Sequence, residues 1–277
     1  MARHAAPAWL AALALLMSAG PDRATRAATL GLGDGQSPLT AEAVLQRPGA
    51  AEVEVPADPG YGPGPRRFRA VPLAPLARAL GVAEDGALLA RALDGFVAHI
   101  PGALVLREAP DPGPRGWLAV EPPGRPWPPL PGKTASAGPF YILWQNPDRT
   151  VTTEYWAYQV TALAAARAPS DRWPQLRVDA ALPADAPERR GEALYAAVCL
   201  ACHRLSGAGE AEVGPDLNRP MNPTRYFQRP ALLRYIRDPS SVRHWPDQRM
   251  PGFPPEVLSD ADIEAVVRYL EHMAGRP

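Results

Sequence analysis

The chain has 277 residues, 46% of them hydrophobic and 21% charged, a globular composition that excludes a disordered chain. That length allows about two domains, each able to bury its own core. The formal charge is zero, and setting aside residues 1–27, which hold Arg3, Arg23, Arg26 and Asp22, leaves 26 basic and 28 acidic groups, a net of −2. No basic excess of the kind a nucleic-acid partner requires is present.

Residues 1–27 read as a secretory signal peptide. Arg3 and His4 open it, residues 5–19 are apolar but shorter than the ~20 needed to cross a bilayer, and Thr25-Arg26-Ala27 offers a cleavage point. No later segment reaches that apolar length. The expectation is a periplasmic protein that is not integral to the membrane, unless the signal stays uncleaved as an anchor.

Residues 28–168 read as a mixed, β-rich (α+β) domain. Residues 51–55 (AEVEV) alternate polar and apolar, the period of a half-buried strand. Residues 96–100, 117–120, 140–144 and 155–163 are rich in aromatic and branched side chains and predict further strands. Residues 73–80 (LAPLARAL) predict a short helix stopped by Gly81. Proline-rich loops, above all 121–133, separate these pieces. Residues 169–185 are polar and proline-bearing, the composition of a linker between domains.

Residues 186–277 read as all-helical. A helix over 188–198 places Leu194, Tyr195 and Val198 on one face. Pro230 suits the first turn of a second helix, which ends before Pro239. A third spans 260–273, capped by Ser259 with Asp262 three residues on, and buries Ile263, Val266, Val267 and Leu270.

The chemistry lies in Cys199-Leu200-Ala201-Cys202-His203, which holds both cysteines of the chain. Two cysteines three apart on a helical turn project from nearly the same face, so both thiols can add to the two vinyl groups of one haem. His203 then falls under the iron as an axial ligand. A redox dithiol calls for a preceding strand in a βαβ setting, and a zinc site for a second ligand pair; neither context is present. The reading is one covalent haem c, consistent with export because covalent attachment is expected outside the cytoplasm.

Residues 186–275 resemble class I cytochrome c, on Gly191 and Tyr195 before the cysteines, Tyr269 and Leu270 in the last helix, and Gly214-Pro215-Asp216-Leu217. The resemblance implies that the Pro215 carbonyl accepts a hydrogen bond from the second His203 nitrogen, fixing its tautomer. The sixth ligand is assigned to Met250, which stands in a loop ahead of Pro251 and Gly252, a Met-Pro context common to that family's axial methionine. Met221 and His244 are the alternatives. Arginines 219, 225, 229, 234, 237, 243 and 249 read as a solvated surface, partly balanced by Asp216, Asp238 and Asp247.

A second resemblance, over 40–166, is to the sulfite oxidase type of molybdopterin-binding domain, carried by residues 68–80, 94–101 and 131–144. In that family a cysteine thiolate binds molybdenum. Both cysteines here are used by the haem, so the resemblance implies the fold without its metal site. The function expected is an electron carrier whose haem iron cycles between Fe(II) and Fe(III), with a protein donor and acceptor in the cell envelope. The alternative is a fused oxidoreductase whose N-terminal domain oxidises a small molecule and passes electrons to the haem; His99 and Asp94 are lone candidates for such a site. A gas sensor with an open sixth position is a third reading.

Overall fold

The computed structural model describes residues 28–33, 36–108 and 112–276, so the expected signal peptide lies outside the described residues. A β-rich N-terminal region with two sheets is followed by helices toward the C-terminus, a layout consistent with more than one domain.

The N-terminal region opens with β1 (Thr29–Leu32) and β2 (Leu39–Thr40), then α1 (Ala41–Leu45), whose N-cap Thr40 hydroxyl accepts the Ala43 N–H. The alternation at 51–55 appears in β3 (Ala51–Asp58), where Val53 and Val55 are buried and Glu52 and Glu54 exposed. It pairs with β4 (Gly62–Pro72), which sets Val53 opposite Phe68. Next come α2 (Leu73–Ala79), β5 (Gly86–Ala92), β6 (Val97–Pro101), α3 (Gly102–Val105), β7 (Arg115–Val120), β8 (Phe140–Gln145) and β9 (Val160–Arg167). α2 stops where expected, at Gly81, which takes φ +81°, a conformation open to glycine.

The sheets run β2-β1-β9-β5-β6 and β3-β4-β7-β8, and one apolar core lies against both. The strand expected over 155–163 begins only at Val160. Thr153–Tyr155 form a 3-10 turn, and Gln159 adopts φ +50°, which breaks the extended backbone ahead of β9. β6 lies at the edge of its sheet, yet Val97, Ala98, His99 and Ile100 are all buried. Part of its edge is covered by the C-terminal part of the chain, whose Ala201 carbonyl accepts the Val97 N–H at 3.0 Å.

Beyond β9 come α4 (Pro169–Arg172), a 3-10 turn at Pro174–Leu176, and α5 (Pro187–Leu194), which continues as a π turn over Tyr195–Cys199. Then follow a 3-10 turn at Pro223–Arg225, α6 (Arg229–Arg237), α7 (Pro239–Val242) and α8 (Asp260–Ala274). From Pro187 onward the described residues hold helices and loops, with an isolated β-bridge between Leu205 and Ala208. No helix among the described residues is long and apolar enough to cross a membrane.

Ser259 caps α8 in a full capping box with Asp262. α5 crosses α8 at Gly191, where a Cβ would fall 2.1 Å from the Ala265 carbonyl oxygen and 2.6 Å from the Tyr269 Cβ. Only glycine allows that approach. One turn later Tyr195 packs against Tyr269 in a tilted contact, ring centroids 5.4 Å apart. Within residues 169–185, Leu176 and Val178 are buried in the same core, and the Tyr269 hydroxyl donates to the Leu176 carbonyl at 2.7 Å.

Candidate haem site

The end of α5 carries the cysteines. The π turn widens the helix just ahead of Cys199, and His203 N–H and Cys202 N–H then both reach back to the Cys199 carbonyl, at 2.8 and 3.1 Å. The turn therefore closes on itself and presents two thiols and an imidazole in five residues. Both thiols are free and half-buried. Burial pushes the Cys202 thiol up to about 12 and Cys199 higher still, with Glu154 adding to both. Thiols held neutral are poor disulfide exchangers. Adding each S–H across a vinyl group leaves no charge in the pocket.

The His203 Nδ1 lies 2.9 Å from the Pro215 carbonyl oxygen. That contact makes Nδ1 the protonated nitrogen and leaves the Nε2 lone pair for a metal. Burial lowers the affinity of the imidazole for a second proton, which keeps it in the ligating form. Gly214 lies directly against the ring: a Cβ there would fall 2.5 Å from His203 Cε1 and 2.6 Å from Nδ1. The Gly214 N–H donates to the Cys202 carbonyl at 2.8 Å, tying this loop to the cysteine turn.

Asp216 organises the loop that carries Pro215. It accepts backbone N–H groups from Ser206, Gly207, Asn218 and Arg219 at 3.0, 2.6, 2.8 and 3.1 Å. Partial burial raises its proton affinity, and the backbone donors outweigh that, holding the carboxyl below the usual range. By charge alone it is a surface counter-ion; it proves to be a structural hub.

Met250 is half-buried and packs against the apolar cluster that joins Val198 of the π turn, Leu232 and Ile236 of α6, Phe253, Leu258, and Ile263 and Val267 of α8. Of the alternatives, Met221 is 54% exposed and His244 lies on the surface. A cavity of about 820 Å³ opens beside this segment, within the range of pockets that hold cofactors. Cys202, Val213, Arg249, Pro251 and Phe253 line one side. The β-rich region lines the other with Asp94, Phe96, Lys133, Glu154, Trp156 and Tyr158. Cys199, His203 and Met250 are not themselves on its walls, although Val213, Arg249 and Pro251 flank the loops that carry the two axial candidates.

Glu154 and Glu210 carry no signal in the sequence. Glu154 is 9% exposed, takes the Thr153 hydroxyl at 3.0 Å, and is pushed up to about 7 by burial. Glu210 binds Arg91 and Arg172, which come from β5 and α4, far from it in the chain. His99, a lone metal candidate by sequence, is buried among Glu210, Arg91, Arg172 and Trp173. No cluster of three metal-ligating side chains occurs among the described residues, His99 and Asp94 included.

The residues present fit a haem. A turn with two neutral thiols and an imidazole anchored on a carbonyl, with glycine clearing the ring, next to a cavity and under crossed helices, defines a cytochrome c domain of the monohaem class. Residues 186–270 match the family model described as cytochrome C oxidase, cbb3-type, subunit III. The match does not extend to the β-rich region, and a comparison of the chain with curated proteins returned no match. A cytochrome c domain implies a haem c cofactor and redox partners, so this is a haem-based electron-transfer protein.

Proposed function

We propose that the chain is an exported, periplasmic electron carrier with one covalent haem on Cys199 and Cys202 and with His203 and Met250 as axial ligands. The observation that carries this reading is the five-residue turn whose histidine keeps Nε2 free by engaging Pro215 through Nδ1. In this scheme residues 1–27 are a signal peptide, 28–168 a β-rich domain and 169–185 the connection. Residues 186–277 form an all-α cytochrome c domain.

Bound there, the haem supplies one-electron chemistry between Fe(II) and Fe(III) without bonds to a substrate. The chain does the rest. The two thiols anchor the macrocycle, His203 presents a neutral nitrogen of fixed orientation, and the soft thioether of Met250 favours reduced iron. Buried apolar groups on the π turn, α6 and α8 form the cluster on which Met250 rests. The apolar stretch in residues 5–19 supports export, as does covalent attachment itself. Donor and acceptor are taken to be proteins of the cell envelope.

Elemental analysis of the purified protein tests the carrier reading. Iron at one atom per chain without molybdenum is expected. Stoichiometric molybdenum would overturn it in favour of small-molecule oxidation in the β-rich domain.

A further inference from the structure

The β5–β6 hairpin reaches the haem-binding segment at several points. The Val97 N–H donates to the carbonyl of Ala201, inside the cysteine turn, at 3.0 Å. The Glu212 N–H donates to the Gly95 carbonyl at 3.0 Å, and a Cβ on Gly95 would fall 3.1 Å from that of Glu212. Gly95 also has φ +90°, a conformation that favours glycine, and the space beside Glu212 is tight. Glu210 accepts from Arg91 at 2.7 Å and from Arg172 at 2.8 and 3.1 Å, and faces His99 Nε2 across 3.8 Å. On the opposite side Arg249 pairs with Asp94 at 3.3 Å.

These contacts have one logic. Residues 210–214 lead straight into Pro215, the carbonyl that holds His203; Arg249 is the neighbour of Met250. One hairpin from outside the cytochrome domain therefore grips the loop behind each axial ligand. Burial works against the Glu210 charge, and Arg172 and Arg91 outweigh it, so the grip on that side is ionic and partly shielded from solvent. The grip on the Met250 side is a half-exposed pair and the weaker of the two.

We propose that the β5–β6 hairpin is the positioning element of the haem site: through Val97, Gly95 and Asp94, and through Arg91 on Glu210, the β-rich region holds both axial-ligand loops and governs whether Met250 stays on the iron. The proposal rests on the haem reading given above. Arg91 and Glu210 act through the ligand loops; Asp94 acts through Arg249 and also lines the cavity.

The test uses full-length protein with haem attached, as wild type, Glu210→Gln, Asp94→Asn and the control Arg67→Gln, whose pairs with Glu52 and Glu54 are remote from the hairpin. Three quantities are read: the rate of carbon monoxide binding to reduced protein, the methionine-to-iron absorption band of oxidised protein, and the midpoint of thermal unfolding. Glu210→Gln should speed carbon monoxide binding by about tenfold or more and weaken the band. Asp94→Asn should speed it about two- to fivefold with little change in thermal midpoint, and Arg67→Gln should change nothing. Asp94→Asn decides alone if Glu210→Gln does not fold. Protein that carries haem, binds carbon monoxide slowly, and does so equally slowly in both variants overturns this proposal. A wild type that already binds it rapidly defeats the Met250 assignment and this proposal with it. A chain without haem defeats the reading of the site as a whole.

Discussion

Glu154→Gln should make the protein more stable at neutral pH, with a sign and rough size that follow from the burial of its carboxyl. Glu154 sits on the 3-10 turn Thr153–Tyr155, 9% exposed, taking the Thr153 hydroxyl at 3.0 Å, with no ion pair among the described residues. Burial raises its carboxyl from 4.5 to about 7, against the Thr153 and Thr152 hydrogen bonds. The folded protein therefore keeps a proton that the unfolded chain has released. Stability from this group is complete below about pH 4.5 and is lost as pH rises through 7. At about 1.4 kcal/mol for each tenfold in proton affinity, the loss approaches ~3 kcal/mol. Urea denaturation of both proteins from pH 4 to 8 measures it, and subtracting the curves cancels every other titrating group. Near pH 4 the two should differ by under about 0.5 kcal/mol, because glutamine mimics the protonated acid. Above pH 7 the variant should lead by up to ~3 kcal/mol. A difference that stays flat across this range, or runs the other way, refutes the reasoning.

Three further outcomes are expected. Burial, with Arg172 and Arg91 adding and Glu210 opposing, lowers His99 from 6.5 to about 4. Its share of stability is therefore present above pH 6.5 and lost as pH falls toward 4, and urea curves for His99→Leu should lack that loss of up to ~3 kcal/mol. The two windows overlap with opposite sign, which is why single-variant differences are needed to see either. Gly191→Ala should cost about 1–3 kcal/mol in a urea melt, because its methyl would enter the Ala265 carbonyl. Met250→Ala should abolish the methionine-to-iron band and open the reduced protein to carbon monoxide; unchanged spectra would remove Met250 from the iron.

The helical part was legible in the sequence because its signals are local. Ser259 and Asp262 declare the start of α8, and the helix expected over 260–273 spans Asp260–Ala274. The strands at 51, 117 and 140 announce themselves by alternation or by aromatic runs. β5 escaped because GALLARA lacks β-branched and aromatic residues, and its extended form comes from pairing with both β6 and β9. The apolar run at 155–163 misled because Tyr155 and Trp156 are buried through a turn, not a ladder. The composition of 169–185, charged and proline-bearing, conceals Leu176 and Val178 in the core. At the site, the cysteines and histidine stand in one pentapeptide. Glu210 matters through Arg91 and Arg172, distant in the chain, and Glu154 through its burial, and no spacing rule could expose either.

Covalent haem on Cys199 and Cys202 is read out by the intact mass of protein matured in its native envelope. The expected result is a polypeptide heavier by one haem, with neither Cys199 nor Cys202 open to alkylation. A chain of bare mass whose two thiols both take the reagent would contradict it.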